Sequence, residues 1–322
     1  MSRTVVGVLR GGTSNEYEHS LKTGAAILDA LPEERYNTRD IFIDKRGVWH
    51  MRGMPVVPTR ALSQVDVVVN GLHGGVGEDG TVARLLERTG IPYVGSGALS
   101  SAQTFNKILA REVMTSAGIR MPNAMSFSLS HDLDTQEMAN HVFSQFGPPY
   151  VVKAPNEGAS HGIQISPTII DLPHAIGDTL DSYGSVLVEE FLPGREAVVG
   201  VIEGYRGESF YTLPPARVLL PENDVMLHPR HYEMETVRYL VPSDFSSPEK
   251  NALAEIARTA HQALELSHFS LVGIIVARGK PYVIEVDTLP HLHDQSPFFS
   301  KLASVGSSIR EFLEHVIQLV RR

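Results

Sequence analysis

The 322-residue sequence contains no cysteine. That excludes a disulfide framework and a thiolate metal site. No apolar run approaches the roughly 20 residues that a membrane helix requires. The opening stretch MSRTVVGVLRGG has no apolar run of signal-peptide length. Positive charge is scarce: 28 Lys and Arg stand against 37 Asp and Glu, a net charge of −9. General polyanion binding needs the opposite sign, so nucleic acid is not an expected partner. Internal repeats and low-complexity segments are missing as well. What is present suits a globular chain, 42% hydrophobic and 20% charged. The length allows two or three domains at roughly 100–200 residues each. The expectation is a cytoplasmic protein that acts on a small molecule, away from membranes.

The first hundred residues alternate strands with helices. A strand at 4–9 runs into a glycine turn and a helix from about 18 to 31. A buried strand at 65–69 precedes His73-Gly74-Gly75, a helix at 81–89 and a short strand at 93–94. This rhythm predicts an α/β domain whose parallel sheet carries helices on its faces. Ligands of such sheets sit at the carboxyl ends of strands, where Gly11-Gly12 and His73-Gly74-Gly75 fall. From about residue 101 the texture changes: a helix with a basic face at 102–117, a strand at 125–129, a helix at 135–146, and strands at 150–153 and 162–166. A third region opens with a strand at 185–191. It continues with strands at 196–202 and 210–214, a helix at 248–266, a hairpin and a terminal helix at 308–320. The expected division is 1–100, 101–183 and 184–322.

Three stretches carry candidate chemistry. YVVKAPNEGASHGIQI, 150–165, delivers Lys153 at a strand end and follows it with Gly158, Ala159, Ser160 and Gly162. Small residues let backbone N–H groups approach an anion, and the lysine adds a point charge. The loop reads as a phosphate cover or as a plain turn; it lacks the Walker pattern. VLVEEFLPGREAVVGVI, 186–202, places Glu189 and Glu190 before Phe191-Leu192, then Glu196. Such a connector can offer its backbone to an adenine edge and a carboxylate to ribose hydroxyls; the plain alternative is an edge strand with solvated acids. LVGIIVARGKPYVIEVDTLPHLHDQSP, 271–297, reads as a hairpin with strands at 271–276 and 281–286. Glu285 and Asp287 are two residues apart, so they share a strand face and suit a divalent cation. His291, His293 and Asp294 follow on a proline-bounded loop, read as solvated, with metal or a different acceptor as the alternative. Lys301 reads as a surface lysine.

Taken in order, these parts resemble the D-alanine–D-alanine ligases of the ATP-grasp superfamily. GGTSNEYEHSL (11–21) and LHGGVGEDGTVARLLERTGIPYVGSG (72–97) resemble the family's first two signatures. FNKILAREVMTSAGIRMP (105–122), the Lys153 loop, EEFLPGRE (189–196) and EVDTLPHLHDQS (285–296) follow in the family's order. The resemblance implies a three-domain ATP-grasp fold with a Rossmann-like parallel-sheet N-terminal domain. It implies ATP with Mg2+ (or Mn2+) as cofactors, D-alanine or a similar amino acid as substrate, and a homodimer as the common assembly. Lys107 and Lys153 match the ATP-phosphate lysines, Phe191 and Leu192 the adenine connector beside Glu189 and Glu190, and Glu196 the ribose carboxylate. Glu16 matches the acid that engages the first amino acid's ammonium, and His73 a histidine near it. Ser160 lies in the closing loop, and Ser296 matches the serine that receives the second carboxylate. Glu285 and Asp287 match metal ligands.

The chain also departs from the family. On this matching, Ile274 and Val276 stand where the family places an arginine and a metal-binding aspartate, both beside Glu285 and Asp287. Ala159 replaces a loop serine, and His291 a glycine whose N–H faces the oxyanion. The segment 231–242 reads as a shortened lid without its lysine–tyrosine pair. Arg217 and Arg238 are candidates for the missing positive charge. These losses imply a ligase of weak or altered activity, or a relative that binds nucleotide or amino acid without ligation.

Overall fold

The computed structural model describes residues 3–220, 237–294 and 296–321. The first six residues of the expected lid, 231–236, lie outside the described residues.

The N-terminal sheet is built from β1 (Thr4–Gly11), β2 (Tyr36–Ile43), β3 (Trp49–Met51), β4 (Met54–Pro55), β5 (Val67–Asn70) and β6 (Tyr93–Val94), in the order β4-β3-β2-β1-β5-β6. β2, β1, β5 and β6 are parallel, and β3 and β4 add an antiparallel edge. β1 and β5 carry apolar runs, at 5–9 and 67–69, because both faces of the sheet are covered there. Val6, Val8, Val67 and Val69 pack against Ile27 of α1 (Tyr17–Ala30), while Leu9 and Val68 face Leu62 of α2 (Pro58–Leu62) and Leu86 of α3 (Thr81–Thr89).

The helix expected over 102–117 is two helices, α4 (Ala98–Phe105) and α5 (Lys107–Ser116). Asn106 adopts an extended conformation between them, and its side chain accepts from the N–H groups of Ile108 and Leu109. An asparagine in that role starts a new helix. Lys107 therefore occupies the first position of α5, where a cation opposes the helix dipole. Its N–H donates to Pro155 O at 2.9 Å, and its ammonium donates to Glu157 O.

The central sheet has the order β7 (Ala124–Ser128), β10 (Ser185–Glu190), β8 (Tyr150–Lys153), β9 (Ile163–Ser166), antiparallel throughout. α6 (Thr135–Gln145) and α7 (Leu172–Tyr183) cover it around Phe127, Tyr150 and Val186. β10 is expected from sequence to open the third region. Instead it hydrogen-bonds between β7 and β8, so a break at 183 falls in front of a strand of this sheet. An apolar run announces a strand but not its partner.

The third sheet runs β14 (Arg238–Leu240), β13 (Ala216–Leu219), β11 (Arg195–Glu203), β15 (Phe269–Ala277), β16 (Lys280–Asp287), with β12 (Phe210–Thr212) also on β11. α8 (Ser247–Ala263) packs on one face. α9 (Pro297–Ser304) and α10 (Ile309–Leu319) bring Phe298 and Phe312 into the core shared with β1 and β5. Lys301 of α9 is fully buried with no hydrogen-bond partner among the described residues, which corrects its reading as a surface residue.

Candidate active site

The hairpin sets the floor of a long cavity. Leu271 pairs with Asp287 and Gly273 with Glu285, after which the register slips and Ile274 faces Val283. β16 thus carries one extra residue, Ile284, as a β-bulge. Val272, Ile274 and Val276 pack with Leu253, Ala257 and Ala260 of α8 and with Ala110 and Met114 of α5. Leu271 and Gly273 line the cavity with Glu285 and Asp287. The expectation that Ile274 and Val276 stand beside the carboxylates is therefore corrected. They are 0% and 7% exposed and belong to the core on the opposite face. The uncharged groups that do face Glu285 and Asp287 are Leu271 and Gly273.

Carboxylates crowd this floor. Burial pushes the Asp287 carboxyl well above its usual range, reinforced by Glu78, Glu16 and Glu285. Burial and Glu16 raise Glu78 to about 8, and burial and Glu285 raise Glu196 to about 8. Glu16 is raised by burial to about 7 against the opposing pull of His161 and Lys107. Oxygen donors that hold one another's protons on are the donor set a hard divalent cation relieves. Glu78, for which the sequence suggested no role, accepts from the Gly74 N–H at 2.7 Å.

At the nucleotide-like end, Lys153 leaves β8 with its ammonium 2.6 Å from Glu189 Oε2. Arg111 of α5 reaches Glu189 Oε1 at 3.1 Å. Glu189 is 3% exposed, so it is a buried counter-ion between two cations rather than a solvated edge acid. Glu190 accepts from the backbone and side chain of Asn123 at 3.0 and 3.1 Å. Phe191, Leu192 and Glu196 border one compartment together with Lys153 and Ser160. Lys107 borders the adjoining compartment, and Ser160, Glu189, Glu196 and Glu285 border both. Burial lowers the Lys107 pKa although Glu285 opposes it. Arg217 is paired with Asp244 at 2.5 Å, and Arg238 is exposed on β14. Tyr239, next to Arg238 in sequence, lines the Lys107 compartment instead.

At the other end stands Glu16. It occupies the N-cap position of α1 without making a side-chain cap bond, and its Oε2 lies 3.2 Å from His291 Nε2. Two glycines close around it: a Cβ on Gly74 or Gly158 would lie 2.8 or 2.3 Å from Glu16 Oε1. The 158–162 loop therefore lies directly against this carboxylate, with Ala159 and Ser160 in left-handed backbone, φ 45° and 61°. Ser296 caps α9, its Oγ accepting from the Phe299 N–H at 3.2 Å, and it borders the cavity. His73 does not border it. His73 Nε2 contacts Thr23 Oγ1 at 2.8 Å, and its ring meets the His291 ring edge-on at 4.3 Å, one layer back. His291 and His293, expected in solvent, are enclosed on the cavity wall. Burial holds both well below the usual histidine range, at about 4.

Comparisons with known proteins agree along the whole chain. The family described as D-ala D-ala ligase C-terminus matches residues 113–318, and D-ala D-ala ligase N-terminus matches residues 52–96. The D-alanine–D-alanine ligase of Carboxydothermus hydrogenoformans is 30% identical over 98% of this chain and 97% of its own. That of Geobacter sulfurreducens is 33% identical over 90% and 85%. Among solved structures, D-alanyl-alanine synthetase A from Vibrio cholerae superposes with a TM-score of 0.86 at 24% identity, covering 99% of each chain. A D-alanine–D-alanine ligase from Bacillus anthracis solved with ATP superposes with a TM-score of 0.81 at 24% identity, covering 99% of this chain and 98% of that one. The fold is thus that of these ligases. Since the matching profiles span most of the sequence and the curated relatives align nearly end to end, the chain belongs to the D-alanine–D-alanine ligase family.

Proposed function

We propose that the chain is an ATP-dependent carboxylate–amine ligase that joins D-alanine, or a similar amino acid, to a second amino acid to make a peptidoglycan precursor dipeptide. One observation carries this reading. Two adjoining compartments that share Glu285 bring together Lys107 and Lys153, cations suited to phosphates, Glu285 and Asp287, carboxylates suited to a divalent ion, and Glu16, an acid suited to an ammonium. Phe191 and Leu192 hold the adenine by their backbone, and Glu196 takes the ribose hydroxyls. The loop with Ser160 covers the phosphates and excludes water. Glu16 receives the first amino acid's ammonium. A cation arriving there favours the ionised carboxylate and offsets the burial that raises its pKa. His73 braces His291 behind that site. Ser296, at the head of α9, receives the second amino acid's carboxylate, where the helix N-terminus favours an anion.

The oxygen donors on β16 fit Mg2+, with Mn2+ as the alternative: two carboxylates share one floor, and burial and acidic neighbours raise Asp287. Glu285 and Asp287 would hold such an ion, and it would supply positive charge to neutralise phosphate oxygens. The proposal places the protein in the cytoplasm, as a homodimer, with a division of its parts near residue 100. ADP release with Mg·ATP and D-alanine tests it. Lys153→Ala should abolish release while Lys45→Ala, at a side chain 70% exposed, should not. Equal rates in the two variants would overturn the phosphate role. A second reading, binding of nucleotide or amino acid without ligation, is favoured by the uncharged Leu271 and Gly273 opposite the carboxylates. Mg·ATP binding in calorimetry with no dipeptide formed across amino acids would select it.

A further inference from the structure

We propose that His19, His291 and His293 form a second metal site, for a borderline divalent ion such as Zn2+ or Co2+, separate from the oxygen donors on β16. His19 projects from α1, and His291 and His293 from the loop between β16 and α9, so the site joins elements far apart in sequence. One nitrogen from each ring lies within 4.8 Å of the other two. Around an ion with bonds of about 2.1 Å, tetrahedral donors sit about 3.4 Å apart, so the rings must close by up to about 1.4 Å. His293 is 9% exposed, yet neither of its ring nitrogens has a hydrogen-bond partner among the described residues, although both are strong polar groups. A buried imidazole facing a cavity with no partner is costly unless something else occupies its lone pair. The His19 and His291 rings stack at 4.7 Å with 12° between planes, so one ring must tilt for both in-plane lone pairs to meet at one ion.

The donor chemistry separates this site from the first. Imidazole suits Zn2+, Co2+ and Ni2+, whereas carboxylate oxygens suit Mg2+ and Mn2+. The surrounding charge supports a cation: Glu16 touches His291, and Asp294 lies beside His293, against one nearby ammonium, Lys22. His73 stands behind, held by Thr23 and meeting the His291 ring edge-on, and so fixes one ligand's orientation. Three protein ligands leave an open coordination position. Here it opens onto the cavity shared with Glu16 and Ser296.

Equilibrium dialysis of the full chain with Co2+ in excess Mg2+ tests the site. The expected result is one ion per chain that Mg2+ does not displace. Its visible spectrum should have the intense bands of a four- or five-coordinate, nitrogen-ligated ion. His19→Ala and His293→Ala should each weaken binding by at least about tenfold, since even outer partners of metal ligands cost 10–100-fold. Glu285→Gln and His174→Ala, whose side chain is 85% exposed, should leave it unchanged. A weak six-coordinate spectrum, displacement by Mg2+, or undiminished binding in both histidine variants would overturn the proposal. The wild-type spectrum decides even if a variant fails to fold. None of these readouts uses ATP, so failure here is distinct from failure of the ligase reading.

Discussion

Replacing Ile274 by arginine tests which face of β15 meets the carboxylates. Ile274 has no exposed surface and sits among Ala110, Met114, Leu253 and Val283. Fully burying an isoleucine side chain is worth about 1.5–3 kcal/mol. An unpaired cation in its place costs several kcal/mol more. Together these approach the whole stability of an ordinary domain, about 5–15 kcal/mol. Leu271→Arg is the matched comparison. Leu271 is half-buried on the cavity wall and pairs with Asp287, so a guanidinium there can reach carboxylates. Its cost should stay within the usual range for a point change, about 0.5–3 kcal/mol. Urea unfolding of the soluble protein provides the measure. Ile274→Arg should be insoluble or unfold at far lower urea, while Leu271→Arg should keep a cooperative transition near that of the wild type. If Ile274→Arg unfolds at the wild-type midpoint, the register drawn here is wrong, and Ile274 and Val276 face the cavity after all.

Glu189→Gln removes the shared counter-ion of Lys153 and Arg111, two largely buried cations. It should destabilise by about 3–5 kcal/mol in chemical denaturation; a loss under about 1 kcal/mol, the ceiling for an exposed pair, would mean the three groups are solvated. Glu16, Glu78, Glu196 and Asp287 all hold their protons to higher pH in the fold than in an unfolded chain. Their contribution to stability is therefore present below the unfolded carboxylate range and lost as pH rises through about 7 to 8. Mg2+ substitutes for those protons, so the Mg2+-induced rise in melting temperature should grow between about pH 6 and about pH 8; a rise independent of pH would count against the cluster. Burial holds Lys301 well below the ordinary lysine pKa, so the unfolded chain binds the extra proton and stability rises with pH. Lys301→Met should stabilise the protein, by more near pH 6 than near pH 9, and a gain that is flat with pH would refute the neutral buried lysine.

Much of this architecture is legible in the sequence where local chemistry is strong. The strand–glycine–helix opening, α3, the β8 loop and the hairpin itself follow from apolar runs and their punctuation. The errors arise where a nonlocal or single-residue event overrides the pattern. Asn106 interrupts an otherwise continuous helical periodicity, because a side chain that accepts two backbone N–H groups is indistinguishable in sequence from an ordinary polar residue. β10 looks like the start of a new region because the run at 185–190 does not name its neighbours. Ile284 shifts the register by one residue, and since strand faces alternate with period two, that is enough to exchange core and cavity. Lys301 is charged in the sequence, yet the packing of α9 against α10 and β11 leaves it no water. Glu16, Lys107 and Asp287 border one compartment, Lys153 the adjoining one, and Glu285 both. The enclosure of His19 with His291 and His293 could not be read, because it depends on how residues some 270 positions apart are brought together.

The contact between Gly158 and Glu16 ties two ends of the cavity into one thermodynamic unit. The loop that is proposed to lie over phosphates is also a wall of the amino-acid end, at van der Waals distance from its carboxylate. Any ligand that draws the loop toward phosphate changes the space left for an ammonium beside Glu16. Reciprocity then holds: an amino acid that moves the loop must alter nucleotide affinity by the same factor. Gly158 is the narrowest point of that linkage, since a single methyl group there would collide with the carboxylate. A Gly158→Ala chain should therefore differ from the wild type less in either affinity alone than in how strongly each ligand changes the other's.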